Sequence, residues 1–225
     1  MIVAVLAEKG GVGKTIIATN LAGMRAHGKG RVLLVNGDRQ GSADLWAGYR
    51  RATDLPGVDC VSQYGPALGR FLQTRVDRYA DVIVDLGPRA GVEMADTLGL
   101  ADVAIIPVRP CAFDMYTMRL VDDLAREASE QNPGLRALAL INQASTNHMN
   151  QEAGQAREVI LAGCSVIGVA ESVVGYRVAV QRASSVGRTV PEFAKPSDRG
   201  VREMEDLYRE VFGERYVQTS IERVA

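Results

Sequence analysis

Between residues 8 and 15 the chain reads Glu8-Lys9-Gly10-Gly11-Val12-Gly13-Lys14-Thr15. Backbone this rich in glycine can curl until successive N–H groups converge on an anion, and a helix starting straight after it adds the positive end of its dipole. An ammonium group at Lys14 suits the β- and γ-phosphates of a nucleotide, and the hydroxyl of Thr15 suits a magnesium ion. Two carboxylates further along have the right surroundings to serve the same site. Asp38 lies in Asn36-Gly37-Asp38-Arg39-Gln40, directly after an apolar run, and Asp85 ends the run Asp81-Val82-Ile83-Val84-Asp85. An apolar strand that delivers a carboxylate toward a phosphate loop is a familiar way of holding magnesium.

Such a loop works only between a strand and a helix. Ile2 to Ala7 has the apolar, β-branched bias of a buried strand, and Ile16 to His27 has helical character closed by Gly28 and Gly30. Further strands are expected at 31–35, 81–86, 102–108 and 135–142, with weaker signals at 58–61 and 165–170. Helices are expected over 15–27, 66–78, 91–99, 115–131, 149–162, 176–186 and 198–212. The region 46–65 reads as a loop with one short strand. Near-continuous apolar strands alternating with helices describe an α/β fold, a mostly parallel sheet with helices on both faces. With neither an internal repeat nor a linker, residues 1–225 read as a single domain, with a loosely packed tail after 212.

Composition sets limits on partners. The chain of 225 residues is 47% hydrophobic and 24% charged, values ordinary for a soluble domain. Its formal net charge of −1 advertises neither nucleic acid nor a lipid surface, so either would have to meet a local patch. Cys60, Cys111 and Cys164 are far apart and form no C-x-x-C pair, which fits a reducing compartment. No apolar run approaches the ~18 residues of a membrane span, and a cytoplasmic protein is expected. Between 176 and 202 the charge turns lopsided, with Arg177, Arg182, Arg188, Lys195, Arg199 and Arg202 against Glu192 and Asp198.

The general phosphate-loop pattern G-x-x-x-x-G-K-[ST] places glycine where this chain has Glu8, and the chain carries a second lysine, Lys9. In this it resembles the deviant Walker A motif of the ParA/MinD family of P-loop ATPases. The resemblance covers residues 1 to about 212 and is nearest to small ParA-type DNA partition ATPases that lack an N-terminal DNA-binding domain. It implies ATP and Mg2+ as cofactors and a weak basal ATP hydrolase activity, with Lys9, Lys14 and Asp38 as the catalytic residues. Gly10, Gly11, Val12, Gly13, Lys14, Thr15 and Ile16 would cradle the nucleotide, and Asn142, at the end of its strand, would lie near the adenine. Thr15, Asp38 and Asp85 would serve the metal, Asp85 through a water. Lys9 would reach across a nucleotide-sandwich homodimer to the partner's phosphates, and Asp114 would border that interface.

Two positions depart from the family's Asp-x-Asp-Pro-Gln. Asn36 stands for the first aspartate and Arg39 for the proline, and the lost carboxylate is expected to weaken magnesium coordination or slow hydrolysis. The family further implies that Arg177, Arg182, Arg199 and Arg202 bind DNA without sequence preference. A separate ParB-type centromere-binding partner would stimulate hydrolysis, and the ATP-bound form would associate with the nucleoid. Two other readings belong to the same family: a MinD-like membrane-associated positioning ATPase, and a ParA-like ATPase that positions a protein cargo. A membrane partner is not expected, because Arg215 and Arg223 in the tail are matched by Glu214 and Glu222, leaving little attraction for anionic lipid.

Overall fold

A computed structural model describes residues 1–28, 30–89, 91–147 and 151–219. In chain order its elements are β1 (Ile2–Val5), α1 (Lys14–Arg25), β2 (Val32–Gly37), α2 (Ser42–Arg51), β3 (Asp59–Ser62), α3 (Pro66–Arg75), β4 (Asp81–Leu86) and α4 (Gly91–Leu98). Then follow β5 (Val103–Val108), α5 (Ala112–Gln131), β6 (Arg136–Ala144), α6 (Glu152–Gly163), β7 (Gly168–Gly175), α7 (Val178–Ser184), α8 (Val190–Phe193) and α9 (Arg199–Phe212). Among the described residues the seven strands form one sheet in the order β3-β2-β4-β1-β5-β6-β7. Every pairing is parallel, the α/β class expected from the sequence.

Parallel strands covered on both faces must be apolar at every position, and here each strand splits its side chains between two cores. Val3 and Val5 of β1, with Leu34, Ile83 and Ile105, face a layer built from α1, α2, α7, α8 and α9. Ala4 and Leu6, with Leu33, Val35, Val84 and Ile106, face α3, α4, α5 and α6. Each fully buried Leu or Ile contributes about 1.5–3 kcal/mol. The topology serves the site through β1, which lies between β4 and β5. The loop after β1 therefore opens where the strand order reverses, the place where open α/β sheets bind ligands. Register sets Asp85 beside both Val5 and Asn36.

Three expectations at the element level are corrected. The stretch read as a loop from residue 46 begins inside α2, whose buried positions Ala43, Trp46, Ala47 and Arg50 carry helical spacing. The last strand runs Gly168–Gly175, later than 165–170. It is an edge strand in which Glu171 and Ser172 are polar, and its outward amides are satisfied by a helix. Glu210 of α9 accepts the N–H groups of Glu171 (2.7 Å) and Ser172 (3.0 Å), and Glu203 accepts that of Gly175 (3.1 Å). The short helix α8 was not foreseen, although Thr189 and Glu192 form a capping box at its start. Tail residues 220–225, Glu222 and Arg223 among them, lie outside the described residues.

Arg50 joins the α2 end of the molecule to α8. It is 2% exposed and donates to both carboxylate oxygens of Glu192 (3.0 and 2.8 Å) and to the carbonyl of Pro56 (2.8 Å). The neighbouring backbone leaves no room, since a Cβ on Gly187 would lie 2.3 Å from the Arg50 nitrogen. Burial alone would raise the Glu192 carboxyl, but hydrogen bonds from His27 and Arg50 hold it at about 2. Arg50→Met leaves a buried carboxylate without its counter-charge, at a cost of about 3–5 kcal/mol and a melting temperature roughly 10 °C lower. Differential scanning calorimetry at neutral pH measures that loss.

Candidate functional site

The phosphate loop is built as a cradle for an anion. Helix α1 begins at Lys14 with Gly13 as its cap, and no side chain occupies the first amides, which leaves them for an anion. Gly13 has φ 91°, and a Cβ there would fall 2.4 Å from the Asn142 amide nitrogen, so only glycine fits. The loop's carbonyls are held from β6: Asn142 donates to the oxygen of Val12 (2.7 Å) and Gln143 to that of Gly11 (3.0 Å). Lys14 donates to the carbonyl of Lys9 (2.9 Å), so its ammonium lies over the loop. Burial lowers the Lys14 pKa, against the pull of Asp85, Asp38 and Glu8. A cavity of about 470 Å³ opens above, lined in part by Gly10, Lys14, Thr15, Asp38 and Gln143.

The two carboxylates are in different states. Asp85 is fully buried, and neither of its oxygens has a hydrogen-bond partner. Burial pushes its pKa up to about 7, only partly offset by the nearby Thr15 hydroxyl and Lys14 ammonium, with Asp38 adding repulsion. An orphaned buried carboxylate beside a Thr hydroxyl is the donor set that a hydrated magnesium ion satisfies, so the residues present fit that metal. Asp38, half-buried above it, accepts the N–H of Gln40 (2.9 Å) on one oxygen, and its own N–H is accepted by Asn36 Oδ1 (2.9 Å).

The remaining sequence-selected residues are placed as follows. Lys9 is 2.8 Å from Asp114 within the same subunit, and Arg109 grips the same carboxylate at 2.8 and 3.1 Å. Burial would raise Asp114, but the hydrogen bonds from Arg109 and Lys9 hold it at about 2. Asn142 is buried with its amide on Val12, and the neighbouring Gln143, at φ 55°, lines the cavity instead. Ile16 and Thr15 also line it, beside Leu45, Trp46 and Tyr49 of the unforeseen α2 and Ser184 and Ser185 near the α7 end. The helical spacing of Ala43, Trp46 and Ala47 was the signal that could have found α2. Of the four selected arginines, Arg182, Arg199 and Arg202 are exposed. Arg177 is tied to Glu203 at 2.5 and 2.8 Å, and Glu171, Asp206 and Glu210 make the adjoining flank acidic.

A strand, an uncapped glycine loop carrying two lysines, and a strand-borne buried aspartate define a P-loop nucleotide-binding domain. The chain belongs to the CobQ/CobB/MinD/ParA nucleotide binding domain family, whose profile matches residues 3–220. Among curated relatives it is 41% identical over 118 residues to the maintenance of carboxysome distribution protein A of Gloeobacter kilaueensis, covering 52% of this chain and 53% of that one. It is 33% identical over 141 residues to the protein of the same name from Halothiobacillus neapolitanus, covering 60% and 62%. The matched stretches thus span about half to three fifths of those relatives' length. Among solved structures, apo McdA from Cyanothece superposes with a TM-score of 0.73 at 13% identity, covering 93% of this chain and 97% of that one. MinD with Mg-ADP from Pyrococcus horikoshii gives 0.71 at 17%, covering 94% and 95%. A plasmid partition protein from Borrelia burgdorferi bound to AMPPNP gives 0.70 at 17%, covering 94% and 98%. These likenesses establish the fold, and the family profile agrees with ATP and Mg2+ as the cofactors read from the loop.

The raised pKa of Asp85 sets a pH dependence. In the unfolded chain this carboxyl ionises near 4, whereas in the nucleotide-free fold it does so at about 7. Between those values the folded state binds more protons, so stability falls as pH rises. From pH 6 to pH 8 the loss is about 1 kcal/mol, or roughly 2–4 °C in melting temperature. Asp85→Asn removes that slope, which thermal melts of the two proteins across this range measure.

Proposed function

We propose that this chain is an ATPase that distributes a protein cargo within the cell, working as an ATP-bound dimer on DNA. The observation that carries this reading is the pair of relatives, at 41% and 33% identity, that share the name maintenance of carboxysome distribution protein A. They favour a protein cargo over a plasmid or chromosome served by a ParB-type partner. In this reading Lys14 leaves the Lys9 carbonyl for the β- and γ-phosphates, and the α1 amides cradle the nucleotide. Thr15, Asp38 and Asp85 would hold a magnesium ion, which would supply charge neutralisation for the phosphates. Asp38 accepts a hydrogen bond from a water and turns its lone pair toward the γ-phosphate. Lys9 exchanges Asp114 for the phosphates of the partner subunit, which makes dimerisation depend on ATP.

A membrane-based version has less support, because the two relatives that carry this reading are both named for carboxysome distribution. DNA is the better surface, through Arg182, Arg199 and Arg202. With Arg177 committed to Glu203, a dimer presents two copies of three arginines, and if about four of them neutralise phosphates, affinity falls roughly 150-fold between about 50 and 200 mM salt. Arg199→Glu with Arg202→Glu removes ATP-dependent DNA binding in gel-shift assays while dimerisation by light scattering persists. Wild-type DNA affinity in that double variant removes the DNA surface from the proposal.

The cargo is tested in the source cell. Replacing Lys14 by Ala should make evenly spaced, fluorescently labelled protein assemblies coalesce while plasmids are inherited normally. Plasmid loss with undisturbed protein assemblies would return the assignment to DNA partition.

A further inference from the structure

Two residues of the Asp38 loop depart from the family's motif, and both are built into one network. Asn36 is completely buried. Its Oδ1 accepts the N–H of Asp38 (2.9 Å), and its Nδ2 donates to Asp44 Oδ2 on the first turn of α2 (2.5 Å). That same Asp44 oxygen accepts the Ser62 hydroxyl of β3 (2.8 Å). Arg39 lies over the Tyr64 ring, 4.9 Å from its centroid, and the Tyr64 hydroxyl is 3.5 Å from Asn36 Nδ2.

We propose that Asn36 is the positioning residue of Asp38 and that Asp44 is its anchor. The proposal rests on the reading of Asp38 as the group that orients the attacking water. An amide can accept from the Asp38 backbone at one end and donate to a carboxylate at the other, whereas an ionised carboxyl has acceptors alone. The partners also fix which end of the amide is which. An aspartate at position 36 would set two carboxylates against each other where the present contact is 2.5 Å. Like charges so placed repel strongly. The carboxylate absent from β2 is thus carried on α2, where the helix N-terminus favours it. Asn36 transmits its position to the Asp38 backbone, and Gln40 N–H holds one Asp38 oxygen at 2.9 Å. The other oxygen remains for the water.

Basal ATP hydrolysis with Mg2+ and calorimetric ATP affinity test this on four variants. Asn36→Asp should lower kcat about tenfold or more while KM stays within about threefold, the pattern of a lost transition-state interaction. Asp44→Ala, which removes the anchor without adding charge, should lower kcat roughly three- to tenfold with KM likewise unchanged. The swap Asn36→Asp with Asp44→Asn restores both donor and acceptor, and should return kcat to within about threefold of wild type. An Asn36→Asp enzyme at the wild-type rate, or a swap as slow as Asn36→Asp alone, overturns the proposal. If Asn36→Asp does not fold, Asp44→Ala decides, and an unchanged kcat overturns it. Asp38→Ala is the fourth variant. Inactive Asp38→Ala beside fully active Asn36→Asp sinks this proposal alone, whereas normal hydrolysis by Asp38→Ala sinks the reading of Asp38 and this proposal with it.

Discussion

The phosphate loop must stay open when nothing fills it, and the tie from β6 is what keeps it so. A loop of glycines has little side-chain packing to define it, and its amides point inward toward an absent anion. Its carbonyls consequently point outward, where Asn142 and Gln143 take those of Val12 and Gly11. Strand β6 is positioned by β5, and β5 by β1, the strand that leads into the loop. The cradle is therefore closed on itself through the sheet, and its shape is fixed before the ligand arrives. Preorganised donors of this kind bind without the cost of ordering them.

The same economy of partners explains the charges around the site. Asp114 has two cations on one carboxylate, Asp44 has a hydroxyl and an amide, and Glu192 has an arginine and a histidine. Asp85 has none. A buried carboxylate left in that condition is a standing demand for a cation, and burial, only partly offset by Thr15 and Lys14, lets a proton take that place up to about pH 7. The chain has gathered its unsatisfied groups at one site, the α1 amides at the cavity and the Asp85 oxygens buried beside Thr15 and Lys14, and a metal–phosphate pair would answer both.

Much of this was legible in the sequence, for a physical reason. The parallel strands are apolar at almost every position because both faces are covered, so β1, β2, β4, β5 and β6 stand out, and the glycine loop needs its strand and helix on either side. The class of site followed from local signals alone. What was hidden is what depends on distant partners. Helix α2 carries helical spacing, but one of its inward positions is Arg50, which reads as a surface residue until Glu192 and the carbonyls around it are in view. The edge strand β7 has Glu171 and Ser172 in its middle, and that backbone is a strand because it pairs with β6 on one side and meets the carboxylates of α9 on the other. The hydrogen bond from Asn142 to the Val12 carbonyl and the place of Gln143 at the cavity are hidden in the sequence, because both depend on β6 lying beside the phosphate loop. The arginines between 177 and 202 looked like one patch in sequence, and Glu203 takes the first of them.

The covering of β7 by Glu203 and Glu210 has a consequence for how the chain comes to be folded. During synthesis β7 emerges from the ribosome about 35 residues ahead of Glu210, so for roughly two to seven seconds the edge of the sheet lacks the full set of carboxylates that meets its amides. In that interval the nascent chain presents an open strand to whatever extended peptide is nearby, including the same segment on a neighbouring ribosome. The last helix ends that exposure.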